Sequence, residues 1–139
     1  MEFVLPTLQA SVVCEDVRQE NNGIQSLVGV LSIIPAATVP VNLLKLAIWT
    51  RWANGTGKFK QTARILAPDN TTVLASASVD FEMQNIQVPH SNSNIIVGVQ
   101  FTEFGIYHVE IGLNDNVVIR YPLVVAQFQQ PASAPLTSA

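Results

Sequence analysis

The most reactive side chains in this sequence are one cysteine and two histidines, Cys14, His90 and His108. A cysteine beside a histidine can form the thiolate pair of a nucleophilic enzyme. Cys14, however, shares its strand face with Ala10 and Val12, which is typical of a cysteine that packs as a small hydrophobe. Nothing near it in the sequence would activate the thiol as a nucleophile. The sequence therefore predicts no catalytic residue.

Oxygen-bearing side chains crowd the first connection, where the sequence places Glu15, Asp16, Glu20, Asn21 and Asn22. Calcium binds such oxygens, but the spacing matches no EF-hand, and Arg18 lies within the cluster. His90 lies in a loop rich in Ser and Asn, and His108 lies on the polar face of its strand. Two histidines without paired carboxylates form neither a zinc site nor an iron facial triad. We therefore predict solvated side chains, with no metal and no cofactor.

An aromatic side chain flanked by cations is a candidate ligand site. Trp49 and Trp52 fall on opposite faces of one strand, so one of them should be buried. If a bulge interrupts this strand at positions 43–44, Trp52 joins the core. Trp49 then lies outside with Lys45 and Arg51, where it could stack on a sugar ring, a base or another protein. A register shifted by one residue would instead bury Trp49.

Strands must position these residues, because apolar and polar residues alternate along nearly the whole chain. The clearest run, Gly105 to Leu113, alternates strictly and leads into Asn114-Asp115-Asn116, a triplet suited to a tight hairpin turn. Eight strands are predicted, at residues 9–17, 24–34, 39–52, 59–66, 72–84, 94–101, 106–113 and 117–127. The connections are too short for crossover helices. The pattern predicts an all-β, antiparallel two-sheet β-sandwich.

The alternation also predicts which side chains point inward. One face of the sixth strand carries Ile95, Val97, Val99 and Phe101, and one face of the seventh carries Tyr107, Val109, Ile111 and Leu113. Pro122 cannot donate to a ladder, so the last strand should be an edge or be broken there.

Strict reversal of the strands would gather the connections at two ends. One end would hold the loops at 18–23, 54–57, 85–93 and 114–116, and the other those at 35–38, 67–71 and 102–104. The first end is rich in Asn and contains His90, Asn92, Asn114 and Asp115. Sandwich domains commonly bind through loops at one end, so these four residues form the predicted recognition surface.

Length and charge limit the classes of partner. A chain of 139 residues suits one domain over residues 1–128, followed by a Pro/Ala/Ser-rich tail at 129–139 that should be disordered. The net charge of −3 argues against nucleic acid, and no apolar run is long enough to span a membrane. Charged residues make up 12% of the chain, against about 25% in typical domains, which favours a homo-oligomer such as a dimer. A lone cysteine and an amino terminus without a basic n-region predict a reducing, cytoplasmic setting.

Two resemblances follow from these motifs. The stretch Gly105-Ile106-Tyr107-His108-Val109 resembles the penultimate strand of immunoglobulin-like sandwiches, which implies a structural role for Tyr107 and Gly105. The residues at 14–18, 22–23, 26–30, 68–69 and 105–107 are similar to an uncharacterised bacterial family of single sandwich domains. That family has no assigned activity, so the resemblance implies a bacterial cytosolic origin and adds no site.

The expected function is a non-catalytic binding or scaffolding domain that self-associates through a sheet face or an edge strand. The alternative is a carbohydrate- or small-ligand-binding module that uses Trp49 or the Asn-rich loops. A phage structural protein and an enzyme with an unfamiliar site are further alternatives.

Overall fold

A computed structural model describes residues 3–128, and these residues form nine β-strands and no helix. The strands are β1 (Thr7–Gln19), β2 (Gln25–Val30), β3 (Ile33–Ala36), β4 (Val41–Ala53), β5 (Gly57–Leu66), β6 (Val73–Met83), β7 (His90–Phe101), β8 (Gly105–Leu113) and β9 (Asn116–Gln127). The all-β prediction is therefore confirmed. The predicted tail at 129–139 lies outside the described residues.

The strands form two sheets, in the orders β2-β1-β4-β7 and β3-β9-β8-β5-β6. The run at 24–34 was predicted as one strand, but it is divided at Leu31 and Ser32, where the chain passes from the first sheet to the second. Because of this division, β3 runs parallel to β9, whereas the other named pairs are antiparallel. The first sheet is strongly curled.

One hydrophobic cluster takes side chains from both sheets. Leu46, Ile48 and Trp52 enter it from β4, and the predicted inward set of β8, from Tyr107 to Leu113, is buried at every second position. Burial of side chains of this size contributes about 1.5–3 kcal/mol each, so this cluster is the main source of stability.

Two glycines bend the first sheet where the apolar pattern loses its phase. Gly98 in β7 has φ +73° and lies at the level of Leu44 in β4, between the register pairs at 43–99 and 45–97. Gly29 in β2 has φ +69° and lies at the level of Glu15 in β1. Left-handed φ is open to glycine at little cost. The residue pairs on either side of each glycine follow the same register, so neither strand gains an extra residue there.

The paired kink corrects two predictions. The predicted bulge at 43–44 is wrong, because the register between β4 and β7 is continuous across these residues, and Leu44 is 88% exposed. The predicted inward face of β7 is wrong in its first half, where Ile95 and Val97 are exposed and Ile96 is buried. Val99 and Phe101, beyond Gly98, are buried as predicted.

Tyr107 forms the local structure that its resemblance implied. Its hydroxyl donates to the backbone oxygen of Glu103 at 2.9 Å, and its ring packs edge-on against Phe101 with centroids 5.0 Å apart. Gly105 starts the strand with φ +146°, and a Cβ there would lie 3.5 Å from the ring of Pro68. The contacts of Tyr107 fix the corner at 103–107, where β8 starts.

Pro122 lies in an edge, as predicted. β3 flanks β9 only at 124–127, so no described strand flanks residues 116–122 on that side. In the first sheet, β1 pairs with β4 on one side, and no described strand pairs with its residues 7–12 on the other side. Each of these two unpaired edge segments contains a β-bulge. In β1 the register shifts between Leu8 and Ala10, and in β9 it shifts between Val117 and Ile119. Bulges and prolines are devices that block strand addition, so these edges are protected.

Candidate functional site

The structure separates the predicted site residues into two groups. Lys45, Trp49 and Arg51 lie on the outer face of the first sheet. His90, Asn92, Asn114 and Asp115 lie toward the end where β4 meets β5, β6 meets β7 and β8 meets β9. We call this end, made of residues 54–57, 84–89 and 114–115, the loop end.

One predicted member of this end lies elsewhere. β1 is antiparallel to β4 with Leu8 opposite Trp52, so the β1–β2 connection at 20–24 lies at the opposite end of the molecule. The prediction for the loop at 18–23 was wrong because the chain makes one reversal more than expected, in passing from β2 to β3. The predicted loops at 54–57, 85–93 and 114–116 do lie at one end, but residues 90–93 belong to β7 and Asn116 to β9.

Trp52 is the buried tryptophan, and it is fully enclosed. Trp49 is half-buried on the outer face, where its indole Nε1 donates to Oε1 of Gln25 at 2.9 Å. Lys45 donates to Asp16 at 2.8 Å, and this bond lowers the pKa of the Asp16 carboxyl. Trp49 and Lys45 are thus engaged by other side chains of the chain.

A polar network centred on Gln61 lies in the core beside the loop end. Gln61 is fully buried, and its Oε1 accepts bonds from Thr50 Oγ1 at 2.6 Å, Trp52 Nε1 at 2.7 Å and Asn92 Nδ2 at 3.2 Å. The Oδ1 of Asn92 is 2.8 Å from Nε2 of His90. Asn92 is 6% exposed, so this predicted ligand residue is a member of the core network.

The network fixes the proton on the neutral ring of His90. An indole nitrogen can only donate, so the atom of Gln61 that faces Trp52 is its oxygen. Asn92 must therefore present its NH₂ to Gln61 and its oxygen to His90. Nε2 of His90 then carries the proton, and Nδ1 has no hydrogen-bond partner among residues 3–128. The ring also stacks on Phe81, with centroids 4.9 Å apart.

Asn114 and Asp115 form the two-residue turn between β8 and β9. Their φ values of +50° and +70° are those of a type I′ hairpin turn, which matches the twist of the flanking strands. Asn114 exchanges two bonds with the backbone of Lys60, and Asp115 pairs with the Lys60 ammonium at 3.1 Å. Asn114 is thus a structural residue as well as part of the surface.

A groove crosses the loop end beside the end of β6. Its volume is about 650 Å³, and its lining consists of Phe3, Thr56, Gly57, Lys58, Glu82, Met83 and Gln84. A smaller hollow of about 280 Å³ shares Glu82, Met83 and Gln84 with it and extends to Val88 and His90. Five large apolar side chains are exposed in the two segments that border these hollows, Phe3, Val4, Leu5, Ile86 and Val88. Sequence reasoning treated this end as polar and missed them.

A second feature missed from the sequence is an ion cluster on the outer face of the second sheet. Glu110 on β8 is 3% exposed and lies between Arg64 on β5 and Arg120 on β9. Each arginine donates through Nε and Nη2 to one oxygen of the carboxylate. Burial alone would raise the pKa of Glu110, but these bonds and the two positive charges leave it lowered.

The remaining reactive residues lie apart from each other. Cys14 is buried in β1, and this burial raises the pKa of its thiol, which disfavours the thiolate. His108 lies on β8 in the other sheet, and its Nδ1 is buried without a partner among the described residues. Residues 3–128 contain no group of three or more His, Cys, Asp or Glu side chains that could hold a metal ion.

Comparison with known proteins places this fold in a sequence family. A family model described as a family of unknown function (DUF6941) matches residues 9–126. The chain belongs to this family. The DUF6941 match begins in β1 and ends in β9, so it includes every strand, whereas Phe3–Pro6 lies outside it. This confirms the resemblance to an uncharacterised single-domain family. No curated protein matches the chain, and the described residues contain no helix that is long and apolar enough to cross a membrane.

Proposed function

We propose that this protein is a non-catalytic scaffolding domain that dimerises through the loop end. The observation that carries the proposal is the apolar surface around the groove. Phe3 is 62% exposed and lines the groove, Val88 is 56% exposed and lines the adjoining hollow, and Met83 lines both. Leu5, in the same segment as Phe3, is 59% exposed. Large apolar side chains exposed around one groove are typical of an interaction site.

The amino-terminal part of this surface is held in place. Val4 and Thr56 exchange two backbone bonds of 2.9 and 3.0 Å, which extend the start of β5. Gly57 has φ +127°, and a Cβ there would lie 2.7 Å from Cβ of Phe3. At Gly55 a Cβ would lie 2.6 Å from the Pro6 ring. The two glycines therefore let Phe3 and Pro6 pack directly on the backbone, so a partner meets a fixed surface.

The charges beside the groove favour a second copy as the partner. Lys58 and Glu82 are direct cross-strand neighbours, yet neither forms an ion pair within 4 Å among the described residues. In a two-fold interface each surface meets its own copy, so Lys58 of one protomer can pair with Glu82 of the other. The low charge content of 12% also weakens repulsion between copies.

The sheet edges are less suited to association. The open segments of β1 and β9 contain bulges, and β9 also carries Pro122 and the charged Arg120. These features oppose the addition of another strand. Association through side chains at the loop end needs no free ladder.

The test is the molar mass of the full chain by size-exclusion chromatography with light scattering across a range of concentrations. We expect a dimer for the natural sequence and a monomer for Val88→Glu, which would bury an unpaired charge. Val97→Glu is the matched control. Val97 is 76% exposed on β7 in the first sheet, outside the loop end, so this variant should leave the dimer intact. A natural sequence that stays monomeric at the highest concentration contradicts the proposal.

Charge reversal tests the pairing itself. Lys58→Glu and Glu82→Lys should each weaken the dimer by about tenfold, because two like-charge contacts arise across the two-fold axis. The double variant should restore it. Each single change also places two like charges opposite each other within one chain, which can lower its stability. Thermal unfolding of each variant measures this loss of stability separately from the loss of dimer affinity. Equal dimer affinity in all four proteins would exclude the pairing.

We also propose that the two sheets pack as an immunoglobulin-like sandwich. The support is the shared cluster between the sheets and the bond from Tyr107 to the backbone of Glu103. A cytoplasmic location is proposed on the single cysteine, which suits a reducing compartment. An experimental structure and fractionation of the source cells test these two proposals.

A further inference from the structure

We propose that the outer face of the second sheet holds a binding site for a small carboxylate, beside the Arg64–Glu110–Arg120 cluster. The site is a notch of about 200 Å³ lined by Thr62, Arg64, Glu110, Gly112, Asp115, Asn116 and Val117. It adjoins the loop end at Asp115 but does not depend on dimerisation.

Gly112 lets the Thr62 hydroxyl line the notch. It lies between Thr62 on β5 and Val117 on β9, in the row next to Arg64 and Glu110. A Cβ at this position would lie 2.6 Å from Oγ1 of Thr62 and 3.3 Å from the backbone oxygen of Asn116. The Thr62 hydroxyl therefore lies directly over Gly112, and it can do so only because position 112 carries no side chain. A volume of about 200 Å³ equals that of about six or seven waters, which suits a carboxylate of a few carbon atoms.

The donors around the notch are already oriented. Arg64 uses Nε and Nη2 on Glu110, so its plane is fixed, and its Nη1 has no hydrogen-bond partner among residues 3–128. The Thr62 hydroxyl, which stands over Gly112, has no partner in this part of the chain either. A guanidinium held in a fixed plane loses little entropy when it binds an oxyanion.

The charge balance favours a single negative charge. Two arginines and one glutamate leave the cluster with a formal charge of +1. Asp115 at the rim is compensated by Lys60 at 3.1 Å. One oxygen of a carboxylate would accept from Nη1 of Arg64, and the other from the hydroxyl of Thr62. A doubly charged phosphate would leave one charge without a counterpart, so the carboxylate is the better match.

The experiment is a titration of the isotope-labelled full chain with sodium acetate, sodium phosphate and sodium chloride at matched ionic strength. We expect acetate to shift the backbone amides of Gly112 and Asn116 in a saturable way. Thr62→Val keeps the shape but removes the hydroxyl, and it should weaken acetate binding about tenfold or more. Ser78→Ala removes a hydroxyl opposite Thr62 on β6, outside the notch lining, and should leave the affinity unchanged.

Three outcomes overturn the assignment. Equal shifts with chloride would show simple screening, and tighter binding of phosphate would show attraction to charge alone. Acetate binding that survives Thr62→Val would place the ligand elsewhere. Gly112→Ala should displace the Thr62 hydroxyl and reduce the shifts at Asn116, but the conclusion rests on Thr62→Val because the alanine also strains the sheet. Repeating the titration with Val88→Glu separates this site from dimerisation.

Discussion

The indole Nε1 of Trp52 donates to Oε1 of Gln61 at 2.7 Å, and both side chains are completely buried. The bond joins β4 of one sheet to β5 of the other inside the hydrophobic cluster. Since two further donors, from Thr50 and Asn92, converge on the same oxygen, Gln61 determines how the sheets meet at the loop end. Polar networks of this kind are costly when one member is missing.

Replacement of Gln61 by methionine should therefore destabilise the protein strongly. Methionine has a similar length, but it leaves the buried donor of Trp52 without an acceptor and removes the partner of Thr50 and Asn92. We expect the free energy of unfolding to fall by about 3 kcal/mol in urea titrations. Gln100→Met, at an exposed position of β7 outside the loop end, should change it by less than about 0.5 kcal/mol. A loss below about 1 kcal/mol at Gln61 would contradict this account of the network.

The network also predicts the tautomer of His90. Nitrogen chemical shifts of the ring, measured in mildly alkaline buffer, should show a protonated Nε2 and a bare Nδ1. Asn92→Leu removes the acceptor of Nε2, so the shifts of His90 should move toward the tautomer mixture of a free imidazole. His108, in the other sheet, serves as the internal control and should not change. A protonated Nδ1 in the natural sequence would be inconsistent with the assigned orientation of Asn92.

The sequence predicted the β8–β9 hairpin because all of its determinants are local. Strict alternation from Gly105 to Leu113 sets the buried face, and the turn at 114–115 needs only residues that tolerate positive φ. The role of Tyr107 was also local, since its hydroxyl reaches a backbone oxygen only four residues away.

The division between β2 and β3 could not be predicted in the same way. Ser32 alone is a weak turn signal, Leu31 is none, and apolar side chains continue on both sides of them. What separates the strands is the choice of partner, β1 for one and β9 for the other. That choice depends on the global topology.

Some of the missed features had a signal in the sequence. Gly29 and Gly98 are single glycines inside strand patterns, which indicates a bulge or a left-handed residue. Gln61 occupies an inward position between Phe59 and Ala63, which indicates a buried polar partner. The Arg64–Glu110–Arg120 cluster had no such signal, because it requires the strand order β5-β8-β9.

Gly98→Ala tests the paired kink of the first sheet. No atom of residues 3–128 lies within 4 Å of the position that a Cβ would occupy, so the effect of the substitution is conformational. A left-handed alanine should lower the free energy of unfolding by about 1–2 kcal/mol. Gly98→Asn should lower it less, since asparagine tolerates this conformation better. Denaturant titrations of the two variants check the order, and equal losses would argue that φ is not the cause.

Glu110 should make stability depend on pH in the acidic range. Its pKa is lowered in the folded state, so its ionised form stabilises the protein fully above the unfolded pKa of about 4.3. That contribution is lost as the pH falls through the lower, folded pKa. Glu110→Gln should lower the free energy of unfolding at neutral pH by about 1–2 kcal/mol, a reduced value because both arginines are partly exposed.

The matched control for Glu110 is Glu103→Gln, which changes an exposed glutamate whose side chain joins no ion pair among the described residues. Unfolding curves recorded at a series of pH values should show the Glu110 variant and the natural sequence converging below about pH 4. The Glu103 variant should follow the natural sequence throughout. A constant difference between Glu110→Gln and the natural sequence down to the lowest pH would mean that the substitution acts through packing and that the carboxylate charge contributes nothing.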